Sequence, residues 1–336
     1  MKKVFSVLLC LFIIPNIFSL EIDDESSQLK QHSFFLLPFG YDFIRLGELN
    51  IHSPALGVGY LRGEQDLPFD EVEHRIFGFA LYQPVIFSSE IYLQVPNLNI
   101  NTFLHQIDFL LDWRIRRHQL LFIFKSSADN PIAGGLSTIQ SGAGWGYEVV
   151  RKPNVSLILG AALCVGDFGI TLPNGEPLPF MPLPLIRFNV NTRWFASSFD
   201  FLSGPNLEIT IAPKERIRFT ADMRMDYYRS IYDLIYECTL WYRLFDENHR
   251  FGDFAGIGIG VKNESTAFTI TGMSSTKKID FEYQYNAIFG ALDLSIINIQ
   301  GGWIFDSRYM IDGKITDRPG RGFYVSVQGI IPIKYR

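Results

Sequence analysis

From Ile217 to Asp226 the side chains alternate without a break. Ile217, Phe219, Ala221, Met223 and Met225 are apolar, and Arg218, Thr220, Asp222, Arg224 and Asp226 between them are polar or charged. A period of two is the period of a β-strand, whose successive side chains point to opposite faces. At 3.6 residues per turn a helix would wind the same five apolar side chains around its whole circumference. The pattern recurs. Phe103, Ile107, Phe109, Leu111, Trp113 and Ile115 oppose Gln106, Asp108, Asp112, Arg114 and Arg116; Ile186, Phe188, Val190 and Trp194 oppose Arg187, Asn189, Asn191 and Arg193. Ile279, Phe281, Tyr283 and Tyr285 oppose Asp280, Glu282, Gln284 and Asn286 in the same way. The fold class is therefore all-β, built from antiparallel strands with one greasy and one wet face.

A soluble β-sandwich shows the same alternation, so the pattern alone does not place the greasy face in lipid. Three features favour the membrane. Lys2 and Lys3 followed by an apolar stretch to Phe18 read as a cleaved export signal over residues 1–19. The aromatic content is 15%, and the aromatics lie on the apolar face, which suits interfacial girdles. The strands run to about ten residues, the length that crosses a bilayer when tilted. Beyond the signal no apolar run reaches the roughly 18 residues of a spanning helix. The reading is a single transmembrane β-barrel over residues 34–336, preceded by a polar lead-in over 20–33.

In a barrel the charged faces must point inward, because an arginine turned toward lipid at mid-depth costs about 2–4 kcal/mol. That assigns Asp108, Asp112, Arg114, Arg116, Arg187, Arg193, Arg218, Asp222, Arg224, Asp226, Asp280 and Glu282 to the lumen lining. Their charges either pair with one another in a closed interior or line a narrow solute path. Gly57 and Gly59, and Gly256, Gly258 and Gly260 with Lys262, share the inward face, where glycine allows curvature or a close neighbour. Cys164 falls on the inward face and Cys238 on the outward one, so the two do not form a disulfide framework.

Turn-rich stretches at Arg62–Asp70, Ser126–Gly135, Asp246–Asp253 and Asp306–Arg321 separate the strands. Leu172–Pro184 holds five prolines and reads as a rigid loop. The segments number about 10 to 14, and twelve is the central expectation because even counts are the rule. The last strand places Phe323, Val325, Val327, Ile331 and Ile333 outward. From about residue 35 onward the order of segments, the Leu183-Pro184-Leu185-Ile186 strand entry and Phe199-Asp200-Phe201 before Gly204-Pro205 resemble uncharacterised bacterial outer-membrane β-barrel proteins. That resemblance implies outer-membrane localisation and supplies no reaction or substrate.

No nucleophile elbow, zinc-helix or phosphate-loop motif is present, and the six histidines are scattered. The sequence therefore points to a protein that is not an enzyme and has no cofactor and no metal site. A formal charge of −5, more negative once the signal lysines leave, argues against nucleic acid. The expected partners are outer-membrane lipid, the barrel assembly machinery and small solutes. Three functions remain: a porin-like narrow channel or binding site for small polar or charged solutes; a structural or surface-interaction barrel; and a membrane-embedded hydrolase or acyltransferase assembled from distant strands. A soluble periplasmic sandwich is the alternative fold.

Overall fold

A computed structural model describes residues 31–64, 74–88, 103–131, 138–166, 178–201, 205–225, 234–245, 255–271 and 279–335. The export signal, most of the lead-in and Asp226 lie outside these residues. The strands are β1 (Gln31–Leu46), β2 (Leu49–Glu64), β3 (His74–Phe87), β4 (Phe103–Ile115), β5 (His118–Ala128) and β6 (Ile139–Lys152). They continue with β7 (Val155–Gly166), β8 (Phe180–Asn191), β9 (Phe195–Asp200), β10 (Asn206–Ile211), β11 (Ile217–Met225) and β12 (Leu234–Arg243). The last are β13 (Gly256–Ile270), β14 (Ile279–Asp293), β15 (Ile297–Ile311), the short β16 (Lys314–Asp317) and β17 (Gly322–Tyr335). The described residues contain no helix.

From β1 to β15 each strand pairs antiparallel with the next, β15 pairs with β17, and β17 returns to β1, so the sheet closes on itself. The wall is a sixteen-strand barrel, with β16 appended to the end of β15. The expected twelve is corrected. Its error came from β9 and β10, six residues each, and from two-residue connections such as Arg116-Arg117, which are too short to break the alternation. The prolines at 182 and 184 are also strand residues, facing Leu163 and Ala161 of β7. Among the described residues β9 pairs β8 over Arg187–Asn191 and no strand pairs the prolines on that side, the kind of edge position where proline is tolerated. In the same way, Asp306 to Ile311 remain in β15.

The outer face carries a lipid belt. On β4, His105, Ile107, Phe109, Leu111 and Trp113 point outward. The Tyr82 hydroxyl lies 2.8 Å from His105 Nδ1 at one end, and Trp113 Nε1 donates to His74 Nε2 at 2.9 Å at the other. Eight residues of tilted strand separate these pairs by roughly 20 Å of membrane depth, close to the apolar band of outer-membrane barrels. Tyr41 with His52 and Trp145 with His118 repeat the pairing at the two levels. Four histidines, His52, His74, His105 and His118, thus cap the belt beside tyrosine and tryptophan. Leu56, Val58, Ile257 and Ile259 fill the belt and are among the most exposed apolar side chains. One end of the barrel holds the first and last strand ends, the two- to five-residue turns at 116–117, 153–154, 192–194, 212–216 and 294–296, and the longer β2–β3 and β12–β13 connections; the preponderance of short turns and the two terminal strand ends match the periplasmic end of outer-membrane barrels. This is a transmembrane β-barrel of the outer membrane.

At the opposite, long-loop end the cross-section is not a circle. Sixteen tilted strands spaced about 4.8 Å apart enclose a cylinder on the order of 30 Å across. Yet Thr269 of β13 and Ala128 of β5, eight strands apart, are backbone partners. Asp129 N donates to Thr269 O at 3.3 Å, and Asp129 Oδ1 accepts from Thr271 N and Thr271 Oγ1 at 3.1 and 3.0 Å. The contact is possible because β6 pairs β5 only as far as Ser126, and β12 pairs β13 only as far as Lys262. Among the described residues neither strand has a wall partner on that edge beyond those points, and the two edges meet. The barrel end is thereby divided into two lobes, one walled by β13–β15, β17 and β1–β5, the other by β5–β13.

The first lobe is dry. Ile44, Ile51, Phe87, Phe268, Phe281 and Tyr283 pack in one buried cluster drawn from β1–β3, β13 and β14. Phe87 meets the rings of Phe281 and Tyr283 edge-on at centroid distances of 6.1 and 6.4 Å. A second apolar cluster, including Phe34, Phe77, Phe79, Leu121 and Leu185, lines the inner face of β1–β8 below it. Glycine makes room for these rings: a Cβ on Gly302 would come within 2.5 Å of the Tyr324 ring and 2.7 Å of the Ile288 carbonyl.

Candidate functional site

The second lobe is wet along one stretch of its wall, β9 to β11. Along β9, β10 and β11 the inward positions are Ala196, Ser198 and Asp200; Asn206, Glu208 and Thr210; Arg218, Thr220, Asp222 and Arg224. No inward apolar side chain there is larger than alanine. The matching outward positions, Phe195, Ile211 and Ile217, are exposed to lipid. The register aligns Ser198, Glu208, Asp222, Glu237 and Lys262 as one row crossing β9 to β13. Like charges facing each other on adjacent strands are unfavourable, so stability alone does not explain this row.

Both ends of the row are held by polar anchors. On one side Arg187 of β8 reaches Asp112 of β4 at 3.0 Å through Nη1 and Asp200 of β9 at 2.8 Å through Nε. Gln119 donates to the other Asp112 oxygen at 2.8 Å, and Arg114 Nε stands 3.8 Å away. A side-chain bridge across four strand positions requires a tightly curved wall. Bare glycine on β6 permits the curve: a Cβ on Gly146 would lie 2.6 Å from the Ile158 side chain and 3.1 Å from Leu185. On the other side Lys262 Nζ donates to Gln300 Oε1 at 3.1 Å and sits 3.8 Å over the Tyr324 ring. Gln300 Nε2 donates in turn to Glu237 at 3.2 Å.

Of the expected lining residues, Asp108, Asp112, Arg114, Arg187, Arg218, Asp222 and Arg224 face inward, and Asp226 lies outside the described residues. Four stand elsewhere. Arg116 occupies the β4–β5 turn with φ 53°, the left-handed geometry of a two-residue hairpin. Arg193 is in the β8–β9 turn, 3.7 Å from Glu215 and 70% exposed. Asp280 and Glu282 share the face of β14 that carries lipid-facing Ile288, while Phe281, Tyr283 and Tyr285 point inward. β14 outruns the membrane belt, so at that level a charge can face outward into water and an aromatic ring can fill the dry lobe. Asp200, Glu208, Glu237 and Gln300 were missed. Glu208 was legible in the alternation Leu207-Glu208-Ile209-Thr210-Ile211.

Cys164 and Cys238 are unbridged and lie on opposite faces. Among the described residues no three of His, Cys, Asp and Glu converge as a metal-holding group.

No known protein family and no curated protein matches the chain. Among solved structures it is similar to Pseudomonas aeruginosa OccK7 (OpdD), at 10% identity over 91% of this chain and 100% of that one, with a TM-score of 0.35. Acinetobacter baumannii OccAB4 is similar at 10% identity over 92% and 100%, TM-score 0.35. Pseudomonas aeruginosa OpdQ follows at 8% over 91% and 100%, TM-score 0.34. Likenesses this loose carry neither pore shape nor solute over to this chain.

Proposed function

We propose that the protein, exported by way of a cleaved signal in residues 1–19 and inserted by the barrel assembly machinery, is a narrow channel for small polar or charged solutes. The path runs along the wet lobe. The observation that supports it is the contrast in lining. Most of the inner wall carries packed aromatic and aliphatic side chains, whereas β9–β11 present only polar groups and alanine inward at membrane depth. A wall that merely needed filling would carry the same apolar residues on both sides, since buried polar groups without full partners are costly. The solute meets both signs of charge, Asp200, Glu208, Asp222 and Glu237 against Arg187, Arg218 and Arg224. That lining suits small polar or zwitterionic molecules better than bulk ions of one sign.

Single-channel recording of the refolded protein tests the reading. The wild type is expected to conduct in small steps, and Ser198→Trp, which puts a ring into the wet lobe, is expected to reduce the step by at least half. Phe281→Leu in the dry lobe is expected to leave it unchanged. Protein that migrates as a folded barrel and neither conducts nor takes up solute removes the channel reading. It would favour a structural barrel, which the meeting of β5 and β13 across the lumen also supports.

A further inference from the structure

The short turns at the periplasmic end carry a charge bias opposite to that of the whole chain. Consecutive turns from β4 to β11, with the end of β6, hold Arg116, Arg117, Lys152, Arg193, Lys214 and Arg216, all exposed, in a protein whose formal charge is −5. Among the described residues of these turns the acids within reach are few. Glu148 is engaged by Arg151 at 2.6 Å, and Arg151 also donates to the Arg116 carbonyl, so that pair ties two turns together. Glu215 stands 3.7 Å from Arg193.

Position distinguishes this arc from an ordinary solvated rim. Arg193 lies 5.1 Å over the ring of Trp194, and Arg216 lies 5.6 Å over that of Tyr242. Trp194 is 59% and Tyr242 43% exposed, and Tyr242 pairs with lipid-facing Ile217 at the lower edge of the belt. Guanidinium groups stacked on belt aromatics are held at headgroup depth, facing the membrane and not the lumen. Planar guanidinium binds phosphate oxygens in pairs. The geometry points to a binding platform for anionic phospholipid headgroups of the inner leaflet, centred on the turns 192–194 and 212–216, with Arg193, Lys214 and Arg216 as the phosphate ligands. The platform lies outside the barrel and does not depend on the channel reading.

The test uses the full-length protein reconstituted in phosphatidylcholine bilayers containing brominated phosphatidylglycerol or brominated phosphatidylcholine, with tryptophan quenching as the readout. Trp194 lies at the platform and Trp145 at the same rim. The wild type is expected to favour phosphatidylglycerol about fivefold, in the direction set by the attraction of basic residues to an anionic surface. The preference should fall as salt rises. The triple variant Arg193→Gln, Lys214→Gln, Arg216→Gln is expected to drop below twofold, and Lys214→Gln alone, on an exposed turn, to show a partial loss if the triple variant does not refold. Equal quenching by the two lipids overturns the site. Retention of the preference in the folded triple variant overturns these residues as its ligands. A stronger preference for lipopolysaccharide than for phosphatidylglycerol overturns the inner-leaflet assignment.

Discussion

The two lobes of this barrel are built from the same alternating strands and differ in what faces inward. On β14 the inward positions are Ile279, Phe281, Tyr283 and Tyr285, all 7% exposed or less. On β11 they are Arg218, Thr220, Asp222 and Arg224. Wall height differs too: β13, β14 and β15 are fifteen residues long, β9 and β10 six. The tall strands rise beyond the lipid belt and lean over to β5, where backbone pairing and the Asp129–Thr271 contacts hold them. The comparison teaches that strand number does not by itself set the bore. Sixteen strands are enough for an aqueous channel, yet here hydrophobic clusters occupy most of the inner wall and the stretch without large inward apolar residues is β9–β11.

The sharpest way to break the comparison is to remove one aromatic ring from the dry lobe. Phe281→Ala is expected to cost about 3–5 kcal/mol, whereas Ser198→Ala in the wet lobe is expected to cost under about 1 kcal/mol, both read by urea unfolding of the refolded barrel. Equal losses would mean that both lobes are packed alike. Next in size is Arg187→Ala, which strands Asp112 and Asp200 without their shared cation. A loss of about 3 kcal/mol is expected, at the low end of the range because the two carboxylates keep 16% and 27% exposure.

The height difference is tested on the outer face of β13. Ile259→Arg, inside the belt, is expected to cost about 2–4 kcal/mol, and Ala267→Arg on the same face eight residues higher about 0–1 kcal/mol. A large cost at both positions would place the upper strand in lipid. The smallest effect is expected at the girdle: His118→Ala, which frees Trp145 Nε1 at the membrane boundary, is expected to lower stability by about 0.5–1 kcal/mol.

The all-β class, the outward belt and the inward charges of β4, β8 and β11 were legible because a period-two pattern fixes the face of every residue once one is known. That logic failed at the strand ends. Arg116 and Arg193 continue the pattern by position but occupy turns, and Asp280 and Glu282 continue it above the membrane, where the penalty that orients charges no longer acts. The strand count was missed because FASSFD and NLEITI are short and mild in contrast. The meeting of β5 and β13 has no local signature, since it follows from where neighbouring strands stop pairing.

The division into two lobes is tested most directly by distance. Spin labels on Ala128→Cys and Thr269→Cys, with Cys164 and Cys238 replaced by serine, are to be measured by double electron–electron resonance in outer-membrane bilayers. A single short distance, under roughly 20 Å between labels, is expected if the opposite walls meet. A distribution centred near the ~30 Å of an open sixteen-strand cylinder would contradict the account and return the whole lumen to one undivided pore.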